Sequence, residues 1–437
     1  MQNLKKNWKN FPPNKAVFLI SLLFFLTVPA LTCRAAGKEP ADPLRQAALQ
    51  GNAESQLALG TEYFFGKNRI MNQSLGVYWY RRAADQGNAR AQYNLAVCME
   101  RGWGTRKSPI LAYSYYRKAS ETIPAAAIRK YQLLYAGIPE EQHENYTIPG
   151  IAAAPGQALA GLDKLARSGS FTACRVLAEL LMADPEFRKK DGKRIQLLLE
   201  QAVQSPAPES RAMLLLASVL EKGIGGNFDS KRSAGLIQRA AAMEDPEGML
   251  RYGLLLEHGR LGKSDPLKAI GYYRKAAEKG SPAAMVALAE QMKSGFHIPE
   301  DLAGAFEYFA RAADLNFPAA FSELGDCYFY GRGTAVQQEK ALDLYMRGAN
   351  MNDPRSCFRL GECYRDGKGV PADPAGAVYW FRKAAEQEMP GAVRCLGIAF
   401  LSGAGVKKNI SAGTQLLKRA AELGDTEARN LLLSGGF

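Results

Sequence analysis

Histidine is nearly missing from this chain: His143, His258 and His297 are the only three in 437 residues. They lie far apart, and none has a second histidine at the spacing of an HExxH zinc helix. No Gly-x-Ser-x-Gly nucleophile elbow occurs. Gly262-Lys263-Ser264 looks like the tail of a phosphate loop, but Glu257 stands where that loop needs its first glycine. Basic residues are plentiful yet scattered, without a stripe of interleaved aromatics, so nucleic acid is not an expected partner. Low-complexity tracts and CxxC pairs are missing too. These absences leave no catalytic, metal or cofactor site to read, and the chain is read as a binding protein rather than an enzyme.

Long hydrophobic runs are also missing, except at the start. Lys5, Lys6, Lys9 and Lys15 precede an apolar stretch from Ala16 to Leu31, and Pro29 is followed by small residues. This is the anatomy of an export signal over residues 1–35, cleaved after Ala35. The apolar run has about 16 residues, short of the roughly 20 that a spanning helix needs. An uncleaved anchor and a lipid on Cys33 are the alternatives; Thr32 fits a lipoprotein box poorly. The formal charge of +13 includes five basic residues in this segment, so the remainder carries +8. Location is therefore expected to be periplasmic or secreted, with no membrane span after cleavage. Six cysteines remain beyond Cys33. Cys327 and Cys363 are one period of 36 apart, which in stacked helices means about 10 Å, beyond disulfide reach. Buried free thiols are expected, with one bridge among Cys357, Cys363 and Cys395 left open.

What is abundant is repetition. Ala47, Ala83, Ala119, Ala240, Ala276, Ala312, Ala384 and Ala420 recur on a 36-residue period, with an insertion between the third and fourth. Gly223, Gly259, Gly295, Gly331, Gly367 and Gly403 keep the same step, as do Pro246, Pro282, Pro318, Pro354 and Pro390. Eleven residues before the alanines stand Asn72, Ser108, Asp191, Asp229, Asp265, Asp301, Asp373 and Asn409. Asn, Ser and Asp cap helix N-termini, proline suits the first helical turn, and glycine ends a helix in the left-handed conformation. Each unit is thus helix A, a glycine loop, helix B and a short turn. Leu324-Gly325 with Tyr328 and Leu360-Gly361 with Tyr364 mark helix A. Tyr272-Tyr273, Tyr308-Phe309 and Trp380-Phe381 mark helix B. Such stripes at spacings of three and four are a buried face. His258 and His297 fall near helix A ends, where a solvated or capping role suffices.

The units divide the chain into a cap helix at 36–52, repeats 1–2 at 53–124, degenerate repeats with an insertion at 125–209, repeats 5–10 at 210–425 and a cap helix at 426–437. The third unit, 125–171, is 47 residues long and carries Pro139, Pro149 and Pro155. It reads as a loop insertion, a spacer or a hinge.

The string Ala, Leu-Gly, Tyr, Gly-x-Gly, Asp, Ala, Tyr-Tyr or Trp-Phe, Ala-Ala, Gly resembles the Sel-one-like repeat (SLR) family, related to tetratricopeptide repeats. That resemblance implies an all-α, right-handed superhelical α/α solenoid of about ten two-helix repeats. It implies a protein or peptide partner held on the concave face. For exported bacterial members it implies envelope signalling, secretion-complex assembly or host contact. Carried over by position, the groove-facing residues are Glu257, Glu290, Asp326, Arg355, Glu362, Arg365 and Arg394, a mixed-charge set suited to a polar or charged peptide. The alternative is a plain solvated face. A cysteine-rich branch of the family implies a second function, binding or cleaving β-lactams. This chain lacks that branch's regular cysteine pair in every unit.

Overall fold

A computed structural model describes residues 42–142, 147–226 and 228–434. The segment 1–35, expected to be an export signal, and His143 lie outside these residues. The chain divides between Ser205 and Pro206 into two compact units.

The first unit opens with α1 (Pro43–Leu49) and continues as helix pairs. These are α2 (Ala53–Phe65) with α3 (Gln73–Asp85), α4 (Ala89–Arg101) with α5 (Pro109–Ala119), and α6 (Pro124–Ala136) with α7 (Pro155–Arg167). In the next pair, α8 (Phe171–Ala183) meets α10 (Gly192–Val203) across a short extra helix, α9 (Pro185–Lys190). The second unit has six pairs: α11 (Ser210–Glu221) and α12 (Ser230–Ala242), α13 (Pro246–Glu257) and α14 (Pro266–Glu278), α15 (Pro282–Ser294) and α16 (Leu302–Asp314), α17 (Pro318–Tyr330) and α18 (Gln338–Asn350), α19 (Pro354–Asp366) and α20 (Pro374–Ala385), α21 (Pro390–Ser402) and α22 (Ile410–Glu422). It ends with α23 (Thr426–Leu433). Each unit is an α/α solenoid, as the sequence implied.

Local chemistry sets the helix boundaries. Asn72, Ser108, Asp229, Asp265, Asp301, Asp373 and Asn409 each accept a bond from a first-turn amide of helix B, a contribution of about 1 kcal/mol apiece. Asp191 departs from this: its backbone has rotated out of the extended conformation, and its side chain makes no capping bond. The prior turn is already α9, whose own cap is Asp184. Pro246, Pro282, Pro318, Pro354 and Pro390 all open helix A. Gly295, Gly331, Gly367 and Gly403 close it with φ of 63–80°. In the two preceding repeats the helix ends one residue earlier, at Lys222 and His258.

In four pairs, the helices are locked by a ring of helix B lying on a glycine of helix A. A Cβ built on Gly60, Gly253, Gly325 or Gly361 would meet the ring of Tyr80, Tyr273, Tyr345 or Phe381 at 2.4–2.8 Å. The separation is twenty residues each time. The same step joins Ala96 to Tyr116 and Ala289 to Phe309, all buried. The third pair keeps the contact and reverses it: Tyr131 of helix A lies on Gly161 of helix B, where a Cβ would meet the ring at 2.2 Å.

The third pair also carries the insertion. Residues 137–142, leaving α6, and 147–154, leading into α7, pair as a small antiparallel ladder. Strand β1 (Glu141–Gln142) pairs with β2 (Thr147–Ile148), and Ile138 bridges Ile151. Ile138 and Ile148 bury against Ile110 of α5. Glu141 accepts bonds from the Ser108 hydroxyl at 2.9 Å and the Ile110 amide at 3.0 Å. A carboxylate there also complements the positive end of the α5 dipole.

The ring-on-glycine contact predicts two opposite effects of the same substitution. Gly325→Ala forces a methyl into the buried Tyr345 ring and lowers stability by about 1–3 kcal/mol. Gly271→Ala, on an exposed turn of α14 with nothing near its Cβ, raises stability by up to about 1 kcal/mol. Urea unfolding followed by circular dichroism measures both; equal shifts of one sign would refute the contact's role.

Candidate functional site

The seven residues expected on the groove all belong to helix A of the second unit, or to its start. The structure brings most of them together through partners that the repeat pattern did not single out. Asp326 of α17 accepts from the Tyr345 hydroxyl at 2.7 Å and from Arg359 at 2.7 Å. Arg359 of α19 also reaches Glu362 at 2.9 Å. Arg355 pairs with Glu323 at 2.6 Å and approaches Glu290 of α15 at 3.6 Å. Lys293 of α15 closes on the same Glu323 at 2.6 Å. Two neighbouring clusters form the network, Lys293–Glu323–Arg355–Glu290 across α15, α17 and α19, and Asp326–Arg359–Glu362 across α17 and α19. Burial, followed by the repulsion of Glu323, raises the pKa of Glu290.

The remaining three stand apart from that network. Glu257 accepts from the Tyr273 hydroxyl at 2.5 Å and from Gln291 at 2.7 Å. Arg365 lies on Asp366 at 2.6 Å, with the Cys395 sulfur 3.7 Å away. Arg394 pairs with Asp425 at 3.1 Å and Glu427 at 2.9 Å.

A recurring link explains why these charges sit where they do. A buried helix B tyrosine donates to an acid on its own helix A, and that acid takes a second donor from the next helix A. Tyr345–Asp326–Arg359 and Tyr273–Glu257–Gln291 are two cases. The first unit holds a third: Tyr116 donates to Glu100 at 2.8 Å, and Arg129 of α6 donates to Glu100 at 3.0 Å. Burial and the adjacent carboxylates hold the Tyr273 and Tyr116 phenols protonated, and Tyr345 likewise.

Around the network opens a cavity of about 270 Å³. Its walls carry four cations, Lys293, Arg332, Arg355 and Arg359, and two carboxylates, Glu323 and Asp326, with Phe358 and Met389 as apolar sides. Ser322 also lines it. Serine beside lysine is the pairing an acyl-transfer site on this face requires. Here the Ser322 hydroxyl donates to the Ala319 carbonyl at 3.0 Å, and Lys293 is held by Glu323.

Lys293, Glu323, Arg332 and Arg359 were missed from sequence. One signal was present: Arg251 and Arg359 each stand two residues before the helix A glycine. Each reaches back to an acid on the previous helix A, Glu221 at 2.8 Å and Asp326 at 2.7 Å. The first unit, which supplied no candidates, has its own cleft of about 480 Å³ on its A helices. Leu57 and Ile123 line it with Thr61, Asn94 and Arg90.

The cysteines Cys98, Cys174, Cys327, Cys357, Cys363 and Cys395 are all buried and free, so the bridge left open among the last three is not made. Burial pushes Cys98 up to about 12 and Cys327 and Cys363 up to about 11, which keeps them protonated and unreactive. Gly262-Lys263-Ser264 is a plain interhelix loop. The Ser264 hydroxyl donates to the Glu257 carbonyl at 2.5 Å, and Asp265 caps α14.

The Tyr116–Glu100–Arg129 link predicts an acid-labile contribution. Burial alone raises the Glu100 pKa, but the bonds from Arg129 and Tyr116 outweigh it and leave it depressed. A depressed carboxylate stabilises the fold fully above its unfolded pKa of about 4.3, and this is lost as pH falls through the folded value. The stability difference between wild type and Glu100→Gln, from urea unfolding across a pH series, is therefore constant near neutrality and vanishes in acid. A pH-independent difference would contradict the link.

Comparison with known proteins places this architecture. The Sel1 repeat model matches residues 53–88, 89–121, 210–245, 246–281, 282–317, 319–353, 354–389 and 396–425. Protein sel-1 homolog 2 of Mus musculus is 34% identical over 98 residues, which are 21% of this chain and 14% of that protein. Its Homo sapiens counterpart is 34% identical over 84 residues, 19% and 12% respectively. The chain thus matches about an eighth of those relatives' length. Among solved structures, c5321, described as a protective antigen present in uropathogenic Escherichia coli strains and displaying an SLR fold, aligns with a TM-score of 0.54. It is 25% identical, over 90% of this chain and 82% of that one.

Proposed function

The chain belongs to the Sel1 repeat family, and from that premise we propose that it is an exported scaffold that holds a protein partner on the A-helix face of its second unit. Sel1 repeat proteins are scaffolds, generally for protein–protein interaction. The observation that carries the assignment to this face is the network of α15, α17 and α19. It sets charged groups of both signs around one cavity, with Arg355 and Glu290 each about half exposed. Fixed charges of both signs give orientation and partner choice more than raw affinity. Export follows from the basic and apolar anatomy of residues 1–35. Envelope signalling, secretion-complex assembly and host contact all fit an exported scaffold of this kind, and the captured partner discriminates among them.

Two measurements test this. Glu362→Lys with Arg365→Glu reverses two charges of α19, Glu362 under a third exposed and Arg365 about half exposed, whose local ion pairs contribute about 0–1 kcal/mol, so the fold is retained. Capture from envelope extracts is expected to lose the partner with this variant at unchanged melting temperature. Equal recovery of every protein bound by wild type would refute the face. The intact mass of chain recovered from the envelope fraction is expected to correspond to residues 36–437. A mass that still includes residues 1–35 would refute cleaved export.

A further inference from the structure

The cavity between α15, α17 and α19 has an unbalanced charge. Its walls carry four cations and two carboxylates, and Glu290 and Glu362 beside it also pair with Arg355 and Arg359, so the imbalance rests on one cation, Arg332. Both wall carboxylates are already committed. Glu323 is shared by Lys293 and Arg355, and Asp326 by Tyr345 and Arg359. A cationic ligand would find no free acceptor there. Arg332 is the odd cation. Its guanidinium lies over the Tyr330 ring, 4.9 Å from the centroid, and among the described residues no carboxylate comes within ion-pair reach of it.

The backbone holds Arg332 in place before any ligand arrives. It is the middle residue of Gly331-Arg332-Gly333, whose glycines take φ of 71° and 74°. Its own amide donates to the Cys327 carbonyl at 2.9 Å, closing the helix. Gly333 is wedged so tightly on the preceding repeat that a Cβ would meet the Leu302 carbonyl oxygen at 2.1 Å. A cation fixed in this way binds without first losing loop entropy.

We propose that this cavity is a carboxylate site, which takes an acidic side chain from a segment of the protein partner. The proposal rests on the A-helix face being the partner surface. Arg332 supplies the unpaired guanidinium, and Arg355, itself half exposed, offers its remaining N–H groups. Phe358 and Met389 pack on the methylenes that carry the acid. The cavity thus selects an acidic residue and rejects its amide, because an amide brings no charge to meet the Arg332 guanidinium.

Fluorescence anisotropy with the full chain tests it, using labelled hexaglutamate and hexaglutamine peptides. Hexaglutamate is expected to bind and hexaglutamine to bind at least about tenfold more weakly, the usual effect of a hydrogen bond to a charged group. Arg332→Ala is expected to weaken hexaglutamate by about tenfold at unchanged melting temperature, and Arg332→Lys to restore part of the loss. Arg90→Ala, on the first unit's cleft, is expected to change nothing. Equal binding of the two peptides, indifference to Arg332→Ala, or an equal loss with Arg90→Ala would overturn the site. If hexaglutamate fails to bind while the α19 charge reversal still loses the captured partner, the carboxylate site falls and the partner face stands. If the reversal also leaves capture intact, both fall.

Discussion

A ring of one helix resting on a glycine or alanine of its neighbour is the contact on which most of these helix pairs depend. It sets how close helices A and B come, and the closeness fixes where every other side chain of the repeat emerges. Interiors are packed like crystals, so the ring and the small residue beneath it are one feature written at two positions. The third pair makes this plain. There the sequence pattern fails, yet Tyr131 on Gly161 restores the same contact with the helices exchanging roles. Geometry survives where the motif does not.

The phenol oxygen extends this packing into electrostatics. Tyr116, Tyr273 and Tyr345 each end on an acid, and each acid is completed by a donor from the next repeat. Asp326, Glu257 and Arg359 on the A-helix face are members of these links. Asp326 and Glu257 are therefore structural anchors as well as members of the face, which is why reversing them would disturb folding and partner contact together. Residues such as Arg332 and Arg365, which serve no such link, are where recognition is free to differ between proteins of this architecture.

Much of the fold was legible because caps, prolines and glycines act over a single turn and repeat with the same 36-residue step. Asn72, Pro318 and Gly331 each do locally what their residue type dictates. What was hidden lies in choices between chemically similar neighbours. Arg355, Arg359 and Arg365 sit on one helix, and nothing in their order says that the first two reach back to α17 while the third folds onto Asp366. Asp191 keeps the cap position and loses the cap bond, because a preceding helix alters its backbone. The ladder between residues 137–142 and 147–154 is invisible to helical periodicity. Its anchor is one carboxylate, Glu141, bonded to a serine 33 residues earlier.

The twenty-residue step from glycine to ring has a bearing on how such a chain changes over time. Both halves of the lock lie inside a single repeat, so removing or doubling any 36 residues in register leaves each ring with its own glycine or alanine. Only the acid-to-donor links at the new junction must find fresh partners, and the regular spacing presents them with a side chain at the corresponding place. Length is then a property that selection alters in whole steps at small cost to each remaining pair. The number of charged positions along the A-helix face would change with it.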